Sequence, residues 1–332
     1  MKSRQPRSGI VAGGNFNIDQ IKIIDQPIKE SQLLHITKKY TSTGGSPYNI
    51  LKNLSLLKAP FKLAGIGLVG NDANGALVLD DCIKNSIDKK GIKTTEKAAT
   101  SFTDVITDLK NRSRTLLHFP GANNYLDTTD FRLDKYNYKI FHLGYLSLLG
   151  KLDDLNENSR TGASVLFETA VEQGFKTSAN LVYKTPDLLG KIVDPSLPYI
   201  DYLFVSKKEL GALINEQEVE AKSAAKKLFE KGVRSWVFVL SEKYVYAINK
   251  EGRFLKQGKI DLPQNLIKGR AGEKEAIISG MLLGLHENYD IAKSLELSVA
   301  TAAACLRDAS CTKGVMPLNG TLEFANEFDE FK

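Results

Sequence analysis

The chain has 332 residues, with 45 Lys and Arg against 39 Asp and Glu, a formal net charge of +6, 42% hydrophobic residues and 25% charged residues. That composition suits a soluble globular protein of one sizeable α/β domain or two smaller ones, and no apolar run approaches the roughly 18–20 residues of a membrane span. The positive charge sits in scattered pairs such as Lys89-Lys90, Lys207-Lys208 and Lys226-Lys227, usually near acids and without interleaved aromatics, which reads as solvated helix faces and argues against a nucleic-acid partner.

In chain order, short β-branched runs alternate with helical patterns. Strands are predicted over 10–18, 61–66, 138–143, 175–180, 202–205 and 236–240, with helices over 49–57, 74–86, 160–173 and 218–231. The last third adds a helix over 276–288, with Ile277, Ile278, Met281, Leu282 and Leu285 on one face, and an alanine-rich helix over 291–306. This alternation predicts βαβ units and a mostly parallel sheet covered on both faces. Segments 21–43 and 101–123 break the rhythm, the second as two alternating strands about a polar turn at 109–114, a hairpin pattern. Together they are expected to form a small β lid on a single domain spanning 1–332. An exposed strand edge in such a lid offers a route to a homodimer.

Cys82, Cys305 and Cys311 are too sparse for a disulfide framework, and the four histidines have no metal-ligand spacing. The basic start is followed only by Ile10-Val11-Ala12, too short for a signal-peptide core, so a cytoplasmic location is expected.

Three stretches carry candidate chemistry. "GIGLVG" (Gly65, Gly67, Gly70) matches a dinucleotide pattern, but position 90, where an acid is wanted, is Lys90. A glycine-rich strand-to-turn junction is therefore the better reading, and a nicotinamide enzyme is disfavoured. In "TGGSPYN", Gly44-Gly45 permit close backbone approach, Pro47 presets a turn and Asn49 begins a helix. Such a helix start can hold a polyhydroxylated ligand, or can be a plain turn and cap. Asp19, after the first strand, can bind sugar hydroxyls or merely cap a loop.

In this order the pieces "GNFNID", "GGSPYN", "GLVGNDANG", "FHLGYL", "VSKKE" and "GEKEAIISGMLLGL" resemble the ribokinase-like (PfkB) carbohydrate kinase family over nearly the whole chain. The resemblance implies a three-layer α/β/α fold with a mostly parallel central sheet and a β lid. It implies ATP and Mg²⁺ as cofactors and a sugar or nucleoside substrate contacted by Asp19, Gly44, Gly45 and Asn49. It also implies an anion hole at the helix start that begins at Gly272.

On the nucleotide side the sequence departs from the family. "GEKEAIISG" falls on the family's Gly-Ala-Gly-Asp-Ala-Phe-x-Ala-Gly. Gly272 keeps the first glycine, Glu273 and Lys274 replace Ala and Gly, and Glu275 takes the place of the catalytic aspartate. Glu273 brings negative charge toward the γ-phosphate position, while Lys274 is placed to pair with phosphate charge. Glu275 remains a carboxylate able to act as general base, but its oxygens reach about an ångström further, a shift that can cost roughly 10²-fold. The family's Asn-x-x-Glu reads Ser206-x-x-Glu209, with Glu209 acting indirectly through metal, and the nucleotide-side turn reads Ser241 to Tyr244, where a tyrosine would crowd the nucleotide. Two functions follow: an impaired ATP-dependent kinase of a substrate hydroxymethyl group, or a non-catalytic sugar or nucleoside sensor. As a bare sequence, "GEKE" also reads as a helix N-terminus whose acids favour the dipole.

Overall fold

The computed structural model describes residues 6–108 and 113–328. β1 (Ile10–Gly14) is wholly buried, and the chain bends at Asn15 and Phe16 before β2 (Asn17–Ile24) and β3 (Ile36–Gly44) leave the body as a pair. The expected strand over 10–18 is thus two strands, and Asp19 lies within β2 rather than beyond the end of β1. α1 (Ser46–Leu56) follows Gly45 at once, with Pro47 in its first turn, so it begins three residues before Asn49. Next come β4 (Leu63–Gly70), α2 (Ala73–Lys84), β5 (Ile87–Thr95), and the pair β6 (Phe102–Asp108) and β7 (Ser113–Phe119). Most of the polar turn expected between them lies outside the described residues.

The second half runs β8 (Ile140–Leu146), α3 (Gly162–Glu172), β9 (Lys176–Leu181), α4 (Pro186–Val193), β10 (Tyr202–Ser206), α5 (Lys207–Ile214), α6 (Ala221–Glu230) and β11 (Trp236–Leu240). An antiparallel pair, β12 (Tyr244–Asn249) and β13 (Phe254–Gly258), closes that edge before α7 (Glu273–His286), α8 (Ile291–Cys305) and α9 (Leu318–Asn326).

The large sheet has nine strands in the order β13-β12-β11-β10-β9-β8-β1-β4-β5, parallel from β11 to β5. Side-chain alternation explains why it is buried on both faces. In β1, Val11 packs with the core under α3 to α6, whereas Ile10 and Ala12 pack with the core under α1, α7 and α8. In β11, Val237 and Val239 take the first side and Phe238 and Leu240 the second. The result is a three-layer α/β/α body, as the resemblance implies.

"GIGLVG" lies inside β4 rather than after a strand. A Cβ at Gly65 or Gly67 would come within 2.9 or 2.4 Å of the Phe16 ring, so these glycines make room for packing. Among the described residues no helix is long and apolar enough to cross a membrane, and all three cysteines are buried and free.

The two rhythm-breaking segments meet in a second sheet, ordered β3-β2-β6-β7. Segment 101–123 ends in a 3-10 turn over Gly121–Tyr125. This sheet is fastened to the body by Asp81 of α2, whose Oδ2 accepts from Thr43 (2.7 Å), Lys52 (2.8 Å) and Tyr48. Burial alone would raise the Asp81 carboxyl, but the hydrogen bonds from Lys52, Tyr48 and Thr43 more than offset it and hold it below the usual range. A depressed folded pKa contributes stability above the unfolded value and loses it as pH falls through the folded one. Asp81→Asn is therefore expected to destabilise by about 1–2 kcal/mol at neutral pH. Urea midpoints of the two proteins should converge below about pH 4, and a gap that does not vary with pH would refute the assignment.

Candidate active-site cleft

A cleft of about 660 Å³ opens at the C-terminal ends of the parallel strands, between the second sheet and the start of α7. Ligands of open α/β sheets bind at that end of the strands. A larger concavity of about 890 Å³ lies at the opposite end, beside Ser8, Lys62 and Tyr138, which precede β1, β4 and β8. We place the site in the smaller cleft because the candidate residues converge there.

One half of the cleft is neutral apart from Asp19. Asn15, Gly45 and Asn49 line it from the body, and Asn17, Asp19, Thr103, Val105, Leu116 and His118 line it from the second sheet. Asp19 is 8% exposed. Its Oδ1 accepts from Asn17 Nδ2 at 2.9 Å, and its Oδ2 faces the Cys311 thiol at 3.3 Å. Burial, with the nearby Asp19 charge, pushes that thiol well above its ordinary pKa, so it acts as a neutral donor.

The diglycine serves this carboxylate. A Cβ at Gly44 would lie 2.2 Å from Asp19 Oδ2, and Gly45 turns the chain at φ 94 with its Cα facing the Asn15 carbonyl, which a Cβ would meet at 1.9 Å. Gly44 was expected to contact ligand, yet it is absent from the cleft wall and acts through the space it leaves for Asp19. Asn15 donates to the Leu148 carbonyl at 2.8 Å. Among the described residues, the buried side-chain oxygens of Asn15 and Asn49 have no hydrogen-bond partner. Buried polar atoms in this condition lack a donor, and a hydroxyl group is one chemistry that could provide it.

The other half is built around the start of α7. Gly272 caps the helix at φ 80, and a Cβ there would lie 2.1 Å from the Cys311 carbonyl. Glu273 does not stand as an uncompensated charge. Lys259 Nζ approaches one of its oxygens at 2.7 Å, and Arg270 approaches the other at 3.5 Å. Lys274 Nζ donates to both oxygens of Glu209, at 2.8 Å each, and to the Leu181 carbonyl at 2.7 Å. Glu209 is itself fixed by a capping box on α5. Ser206 N donates to its Oε2 at 2.7 Å, while Ser206 Oγ accepts from Glu209 N at 3.2 Å.

Glu275 is 4% exposed and accepts from the Tyr145 hydroxyl at 2.8 Å and from Asn180 at 3.4 Å. Burial raises its carboxyl, partly offset by the Lys274 charge and the Tyr145 hydrogen bond. Ser241 lines the cleft, its hydroxyl bridging the backbone of Tyr244. Tyr244 itself does not line it; its ring packs beside Tyr246 and under Lys256, 3.7 Å from the ring centre.

The donor set does not fit a divalent metal at Glu209, because both carboxylate oxygens are held by an ammonium. Among the described residues no group of three or more His, Cys, Asp or Glu could hold a metal ion. Sequence reasoning passed over Tyr145, Asn180, Asn15, Lys259, Arg270 and Cys311. "GNFNID" and "FHLGYL" served only as landmarks for Asn15 and Tyr145, and Arg270 lies three residues before Glu273. Asn180, Lys259 and Cys311 carry no local signal and come to the cleft from distant parts of the chain.

The sequence matches the pfkB family carbohydrate kinase over residues 8–262, a span that ends before α7. A curated relative, the 5-dehydro-2-deoxygluconokinase of Clostridium botulinum (strain Eklund 17B / Type B), is 26% identical over 340 residues, covering 97% of this chain and 94% of that one. Among solved structures, ribokinase from Thermotoga maritima superposes with a TM-score of 0.77 at 18% identity, covering 96% and 99% of the two chains. Arabidopsis thaliana ribokinase, solved with ribose and ATP, gives 0.79 at 16% identity over 98% and 100%.

Proposed function

The chain belongs to the pfkB family of carbohydrate kinases, and from that premise we propose that its cleft binds a sugar-like polyol and transfers phosphate from ATP to a hydroxymethyl group only slowly. The observation that carries this reading is the Lys274 ammonium at the start of α7, with three oxygens around it. A working anion hole presents free backbone N–H groups and open space to the transferring phosphoryl. Here that space is crossed by one ion pair and flanked by a second, Lys259 with Glu273.

At the other end the substrate's hydroxyls donate to Asp19, with the buried, unpartnered oxygens of Asn15 and Asn49 as further acceptors behind it. The second sheet acts as a lid, since its residues Thr103 and His118 reach the cleft wall. Glu275 is the group placed to take the proton of the reacting hydroxyl. Because its carboxyl is raised, it works as a base only above that elevated pKa, so the acid limb of any turnover lies above the ordinary glutamate range.

The test is a coupled ADP-release assay with a panel of neutral sugars, nucleosides and 5-dehydro-2-deoxygluconate, the last suggested by the relatives' name. Native protein should turn over little. Glu273→Ala, Lys274→Gly and Glu275→Asp together should raise the rate about tenfold or more, the size of such positioning effects. Robust native turnover abolished by Glu275→Gln would overturn the slow-transfer reading. The same ion pair favours a second reading, a sensor that binds the polyol without chemistry; ligand binding with no ADP from either protein would select it.

Leu117 in β7 and Ile36 and Tyr40 in β3 are 55%, 52% and 43% exposed. Apolar exposure of this kind on a small sheet favours a homodimer formed through the lid. Sedimentation of a single-chain species at assay concentration would rule that assembly out.

A further inference from the structure

We propose that the Lys274 ammonium is the resident cation of this cleft, filling the place at Glu209 that a divalent metal would take, so that the site holds its charges in balance without one. An ammonium has three N–H donors, and Lys274 spends them on the two Glu209 oxygens at 2.8 Å and the Leu181 carbonyl at 2.7 Å. Carboxylate and backbone carbonyl oxygens converging on one positive centre are the donors a hard divalent ion uses. Here the separations are those of charge-assisted N–H···O bonds.

The cage is rigid because its parts come from three elements. Leu181 ends β9, Glu209 stands in the first turn of α5 and Lys274 in the first turn of α7. Glu209 cannot swing toward another cation, since its Oε2 also accepts from Ser206 N at 2.7 Å. The side chains of Lys274 and Glu209 are 23% and 7% exposed, so water screens the pair only partly.

The neighbouring acid is already paired as well. Lys259 and Arg270 both face Glu273, while Lys274 faces Glu209. A divalent ion brought to the Glu209 oxygens would meet a fixed positive charge bound to the same atoms. Metal and ammonium are therefore alternatives, and removing the ammonium should open the site to metal.

Mn²⁺ alone is the probe, followed by the loss of its free electron paramagnetic resonance signal, using the full chain without nucleotide. Native protein is expected to leave the signal undiminished. Lys274→Ala should take up a single Mn²⁺ per chain, and adding Glu209→Gln to it should abolish that uptake. Circular dichroism melting checks that the variants fold. If Lys274→Ala does not, Lys274→Met replaces it, because the thioether keeps the apolar stem packed. Uptake by native protein that Glu209→Gln removes would overturn the proposal, as would a folded Lys274 variant that takes up no metal. No turnover enters this measurement, so its failure leaves the slow-kinase reading standing, and the reverse also holds.

Discussion

Asp19→Ala is expected to weaken binding of whichever polyol the panel identifies by about tenfold or more. The carboxylate is 8% exposed and positioned by Asn17 and the Cys311 thiol, so it meets a ligand hydroxyl already oriented. Losing one such buried partner costs about 1–3 kcal/mol, because the hydroxyl it served is left desolvated and unpaired. Gly44→Ala is the independent check. Its Cβ would fall 2.2 Å from Asp19 Oδ2, so the carboxylate must move although no ligand contact has been deleted. Both variants should therefore lose affinity by calorimetry while binding of ADP is unaltered. Unchanged polyol affinity in both would show that the ligand lies elsewhere.

Glu209→Gln should lower stability more than any other single change in the cleft that spares the glycines. It strips the charge from the partner of an ammonium whose side chain is only 23% exposed. Breaking a buried pair costs about 3–5 kcal/mol, and the residual exposure of Lys274 reduces this to about 2–3 kcal/mol through solvent screening. In urea the midpoint should fall accordingly. The double variant Glu209→Gln with Lys274→Met should recover most of the loss, since no uncompensated charge remains. A double-mutant cycle with no coupling between the two positions would mean that the ammonium does not depend on Glu209.

Much of the body was legible because its signals are local. Strands β10 and β11 and helices α3, α7 and α8 fall where β-branched runs and apolar spacing put them, within a few residues. The two segments that lacked helical spacing are the ones that supply the second sheet. Strand β5 was missed because it is an edge rich in lysine, "IDKKGIKTT", a composition that protects edges and hides them from a search for apolar alternation. Strands β12 and β13 were missed too: β13 is a short, half-exposed edge, whereas β12 lies inside the sheet and its "YVYAIN" does carry an apolar strand signal. The break after β1 falls at the end of Gly13-Gly14-Asn15, a turn-type stretch that was read through as one strand because apolar residues lie on both sides of it.

What the sequence by itself determined is the family resemblance, the parallel α/β body and part of the residue set that lines the cleft, namely Asp19, Gly45, Asn49, Ser206, Glu209, Ser241, Gly272, Lys274 and Glu275. Motifs such as "GNFNID" and "GGSPYN" are contiguous, and a helix start needs only its own first turn. What only the tertiary structure decided is the electrostatic meaning of "GEKE". Read along the chain, Glu273 faces a phosphate and Lys274 is free to meet one. In the fold, Glu273 is held by Lys259 and Arg270, and Lys274 is bound to Glu209, 65 positions away. Glu275 meets Tyr145 from 130 positions away, and Asp19 meets Cys311 across 292. A charge in a cleft is set by whichever opposite charge lies within a few ångströms, and strand order in the sheet, which no local pattern carries, chooses that neighbour.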